Sequence, residues 1–164
     1  MSTNNQTNSS LQAKSGFKTI FWSGLISSIL DGIAAMFFLH LWYKLTPALF
    51  MQFIASGIYG SAAFAGGTPM VIAGILIHFF IAFIIAIIYF YAYPKIGPLK
   101  SNPVLAGLVL GLVVWLVMNL LIMPLSNVQP SPFNPGPAVV SLIWHMVLVG
   151  LPITIITKKH FDNR

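Results

Sequence analysis

The chain has 164 residues, 57% hydrophobic and only 6% charged, with a mean hydropathy of +0.89, whereas a soluble domain carries about 25% charged residues. A water-facing surface cannot be built from that composition. The net charge of +6 does not imply nucleic acid, because the cations stand singly or in pairs beside long apolar runs, as membrane flanks do, and the absence of cysteine removes disulfides, thiolate nucleophiles and iron–sulfur clusters.

Residues 1–16 are polar and low in complexity, too poor in apolar groups to bury a core, and read as a disordered tail. The first apolar run, residues 19–41, exceeds the usual signal-peptide core and is followed by no small-residue cleavage site, so it reads as a membrane span. Thr46-Pro47 then supplies an N-cap and a first-turn proline for a helix over residues 47–59. That helix is too short to span and suits an interfacial or re-entrant position. Small residues from Gly60 to Gly67 return the chain to a second span over residues 70–93.

Pro94, Gly97, Pro98 and Pro103 punctuate a short polar turn with Lys95 and Lys100. A third span, residues 104–123, ends in a proline-rich loop without charge, and a fourth, residues 138–157, ends in a short tail over 159–164. The expected fold is therefore an all-α, single-domain four-helix transmembrane bundle over residues 17–158. Lys14, Lys18, Lys95, Lys100, Lys158, Lys159 and Arg164 fall on one face of the membrane and only Lys44 on the other. The positive-inside rule then makes both termini cytoplasmic.

Ionisable side chains in a bilayer are costly and usually face the bundle interior, so they mark the first place to look for function. Asp31, His78 and His145, with the neutral Asn119, sit one per span, at depths of roughly 6 to 15 Å by the helical rise. Each shares a face, at i, i+3 and i+4 spacing, with small residues that let helices approach closely: Gly24 with Asp31, Gly74 with His78, Gly107 and Gly111 with Asn119. Pro152 removes the hydrogen bond that the Leu148 carbonyl would accept and predicts a kink near His145.

Three readings of this band stand side by side. Asp31 is the one acid within the apolar stretches, and a proton- or cation-coupled transporter of small molecules would use it as an exchangeable group beside His78 and His145; so small a unit then implies a homo-oligomer. Alternatively His78 and His145 ligate a metal or a non-covalent b-type haem. Third, the contacts are architectural, in a structural or partner-binding protein. Enzyme chemistry finds no motif: Ser56-Gly57 is too common to identify a nucleophile, and phosphate loops and carboxylate clusters are absent.

The segments Gln52-Phe53-Ile54-Ala55-Ser56-Gly57, Ala63-Phe64-Ala65-Gly66-Gly67, Leu76-Ile77-His78-Phe79, Met118-Asn119, Met123-Pro124-Leu125-Ser126 and His145-Met146-Val147-Leu148-Val149-Gly150-Leu151-Pro152-Ile153 together resemble a family of uncharacterised small bacterial four-span inner-membrane proteins. The resemblance implies a bacterial cytoplasmic membrane location and brings no activity with it.

Overall fold

The computed structural model describes residues 3–163 apart from residue 131, with side chains from residue 16 onward. Among the described residues every regular element is helical. Four helices are long and apolar enough to cross a membrane: α1 (Thr3–Tyr43, apolar from Gly16), α3 (Gly67–Ala92), α4 (Pro103–Leu125) and α5 (Pro135–Asp162). Between α1 and α3 lies the shorter apolar helix α2 (Pro47–Tyr59). The chain is a multi-pass integral membrane protein.

Local chemistry sets the boundaries. Thr46 caps α2 by accepting the Leu49 N–H at 3.2 Å, with Pro47 at the first position. Gly60 closes α2 with φ +59°, a left-handed conformation that a side chain would strain. Asn102 and Asn134 cap α4 and α5 in the same manner, each followed by a proline. One expectation differs from the structure. Residues read as a disordered tail continue α1 back to Thr3; no glycine or proline interrupts residues 3–15, and extending an existing helix adds one hydrogen bond per residue fixed.

The helices form an arc rather than a closed ring. α1 packs on both α3 and α5, α5 packs on α4, and α3 and α4, at the two ends of the arc, barely touch. The α4–α5 contact is backbone on backbone. A Cβ at Gly107 would stand 2.9 Å from Leu151 Cα, and one at Gly111 or Gly150 would overlap the facing helix at His145, Met146 or Gly107. Gly74 is held against the Met51 carbonyl of α2, and Gly24 against the Phe83 ring of α3. All four glycines assigned to packing thus lie at close approaches, and Gly150 joins them.

α2 closes the bundle at the end away from the termini. Phe50 and Met51 pack with Ala34 and Ala35 of α1 and Trp144 of α5. The segment after α4 clasps it: the Asn127 backbone and side-chain amides donate to the carbonyls of Gly57 and Ile58 at 3.0 and 2.8 Å. Prolines 124 and 152 each follow a widened, π-type turn, Met118–Ile122 in α4 and His145–Gly150 in α5. Near His145, where Pro152 predicts a kink, the structure has the second of these widened turns, which begins at His145 itself.

Candidate functional site

The arc brings Asp31, His78 and His145 into one small cavity of about 100 Å³, lined also by Ser27, Ser28 and Ile54. That volume suits an ion or a few waters. Asp31 Oδ1 lies 3.7 Å from His145 Nε2, and Oδ2 lies 4.0 Å from His78 Nε2, with side chains only 13 to 18% exposed. The Trp144 indole donates to Asp31 Oδ1 at 3.0 Å. Asp31 therefore receives groups from α3 and from two successive residues of α5.

The backbone orients both imidazoles. A carbonyl oxygen only accepts, so a ring nitrogen bonded to one must carry its proton. His78 Nε2–H donates to the Ser28 carbonyl at 2.9 Å, across a gap kept open by Gly32, where a Cβ would stand 3.3 Å from that nitrogen. His145 Nδ1–H donates to the Ser141 carbonyl at 2.7 Å. In the neutral ring this leaves His145 Nε2 as a lone pair turned toward Asp31 Oδ1. Around this core, the Trp115 indole donates to Ser141 Oγ at 2.8 Å, and Ser141 Oγ–H donates to the Ala138 carbonyl at 2.9 Å.

With the ring neutral, Asp31 Oδ1 and His145 Nε2 are two acceptors that face each other, and either a shared proton or a water donating to both satisfies them. Neutral carboxyl with neutral imidazole and carboxylate with imidazolium contain the same single proton and the same zero charge. Removing it without replacement would leave a net negative charge inside the bundle, which is costly. At 3.7 Å the separation exceeds a direct hydrogen bond, and a small ring rotation or one water spans it.

Asn119 does not join the site. Its side chain is exposed on the outer surface, where Nδ2 donates to the Trp115 carbonyl at 2.8 Å, because the wide turn Met118–Ile122 breaks the register on which the sequence reading placed it. Trp144 escaped that reading, since in a regular helix it falls one step off the face shared by Ser141, His145 and Val149. Its partner Asp31 lies 113 residues away, a distance no local signal bridges.

A run of hydroxyls extends from the cavity toward the end that carries the termini. On α1, Thr19, Ser23 and Ser27 precede Asp31 at intervals of four residues, with Ser28 beside them; on α5, Thr154 and Thr157 follow His145. All six are buried, five of them 0 or 1% exposed. Ser23 and Ser27 donate to their own helix at 3.2 and 3.1 Å and keep their lone pairs, the Thr154 hydroxyl meets that of Tyr89, and the side-chain hydroxyls of Ser28 and Thr157 make no hydrogen bond within 3.5 Å among the described residues. The row ends where Thr19 Oγ1 meets His160 Nδ1 at 2.9 Å. No protein-family model, curated protein or solved structure matches this chain.

Proposed function

We propose that this membrane protein is a proton- or cation-coupled carrier of small molecules in which Asp31 and His145 share the exchangeable proton and His78 supports Asp31. The observation that carries the reading is the 2.7 Å contact of His145 Nδ1 with the Ser141 carbonyl, an acceptor that places the proton of the neutral ring on Nδ1. With Nδ1–H committed to Ser141, the imidazole faces Asp31 as an acceptor, and the pair is neutral only while a proton, or a cation in its place, lies between them. Binding of a cation then releases the proton, which is the elementary step of exchange.

The hydroxyl row supports access. Buried hydroxyls with lone pairs or protons to spare can relay a proton through intervening water, and here they lead from Ser27 and Ser28 to Thr19 and His160. The distribution of lysines supports a cytoplasmic position for that end. Haem ligation by His78 and His145 has less support, because the cavity holds only about 100 Å³, His78 Nε2 is bonded to the Ser28 carbonyl, and His145 Nε2 faces a carboxylate rather than a space for a macrocycle.

Infrared titration of the purified protein tests the reading. A protonated-carboxyl band should disappear in Asp31→Asn, and its titration should move in His145→Gln. A band indifferent to His145 would refute the shared proton, and a haem absorbance lost on His145→Gln would replace it with the haem reading.

A further inference from the structure

The two helices that barely touch, α3 and α4, leave between them an open cleft of about 520 Å³. Its walls are aliphatic side chains and Met118, with Tyr89 the one polar group among them. An apolar surface facing lipid is unremarkable by itself. What sets the cleft apart is its floor: Ile81, Ile85, Val114 and Met118 line both the cleft and the cavity that holds Asp31, His78 and His145. The bilayer interior is thus separated from the buried acid by one layer of side chains.

We infer that the cleft is the lateral entry and binding site of a lipophilic cation, which seats its apolar groups between α3 and α4 and brings its positive charge to Asp31. This rests on the proton-exchange reading and adds the substrate class. Volume agrees, since pockets for molecules of drug size span about 300 to 1,000 Å³. Charge agrees as well. Asp31 is the one acidic group in the cavity, and a cation that displaces its shared proton keeps the site neutral, whereas an anion or neutral molecule leaves that proton in place. An apolar wall discriminates against small hydrated ions, whose shells it cannot replace. The occupant is therefore bulky, apolar and singly positive.

The full chain purified in detergent should bind tetraphenylphosphonium and release about one proton per cation bound, by the charge argument above. Asp31→Asn and Val113→Trp, the latter filling the cleft at a lipid-facing position, should each weaken binding roughly tenfold or more, equivalent to about 1.4 kcal/mol. Val139→Trp, the same exchange outside the cleft, should leave binding unchanged. Val113→Trp should keep the infrared carboxyl titration, which shows that it folds. Full binding in Val113→Trp, equal competition by neutral triphenylphosphine oxide, or efficient chain-to-chain cross-linking through Val113→Cys, indicating a second copy in the cleft, would each overturn the inference. Loss of cation binding in the parent chain with the carboxyl titration intact removes only the substrate class. Absence of the titration removes the proton reading with it.

Discussion

Asp31 and His145 lie 114 residues apart in the chain and face each other at 3.7 Å, with the imidazole fixed by the Ser141 carbonyl so that its neutral form turns an acceptor toward the acid. The relation is stricter than proximity. His78 comes within 4.0 Å of the same carboxyl, yet its Nε2–H is already committed to Ser28. Of the two histidines, only His145 turns a lone pair on Asp31.

A thermodynamic asymmetry follows. In a double-mutant cycle on unfolding in detergent, Asp31→Asn and His145→Gln should couple by about 0.5 to 3 kcal/mol, as directly interacting groups do. Asp31→Asn with Asn119→Ala should add to within about 0.5 kcal/mol, because Asn119 lies outside the site on the exposed face of α4. Additivity in the first cycle would dissolve the pair.

Glycine substitutions should separate by position. Gly111→Ala and Gly150→Ala force a methyl into the backbone of the facing helix, and overpacking of that kind costs typically about 1 to 3 kcal/mol. Gly97→Ala, with nothing within 4 Å of its Cβ position, should change stability little. Thermal unfolding of the three variants in one detergent checks the order. Equal stability across them would mean that α4 and α5 do not meet as described.

Orientation is open to direct labelling. Single cysteines at Ser101 and Asn163, both exposed at the end that carries the termini, should react with an impermeant maleimide only after permeabilisation. A cysteine at Gln129, in the loop joining α4 to α5, should react in intact cells. Labelling of Ser101 from outside would invert the bundle and the direction of the hydroxyl row.

Much of this architecture is legible in the residues. The four apolar runs, the Thr46-Pro47 start of α2 and the inward face of Asp31, His78 and His145 follow from period and punctuation alone, because a span must hide its polar groups on one side. Where the period fails, so does the reading. Counting to Asn119 crosses the wide turn at Met118–Ile122, while Trp144, in the regular stretch Pro135–Trp144, lies one residue off the His145 face and gives no periodic signal. Pro152 predicts a kink near His145, and what the structure shows there is a widened turn, His145–Gly150. The extension of α1 to Thr3 depends on elongating an established helix, which composition does not report. Nor does any sequence signal reveal that α3 and α4 part, since both present aliphatic surface whether they face lipid or each other.

In the orientation proposed above, the hydroxyl row on one side of Asp31 and the plug of Phe50, Met51, Ala34 and Trp144 on the other would divide a transmembrane electric field unequally. Voltage falls mainly across the medium that polarises least, so most of it drops between Asp31 and the α2 end. Each elementary charge crossing that plug carries nearly the full electrical work, about 2.3 kcal/mol per 100 mV, while proton movement along the hydroxyls carries little. On the carrier function proposed above, turnover should be gated by membrane potential at the α2 end and by acidity at the end that carries the termini.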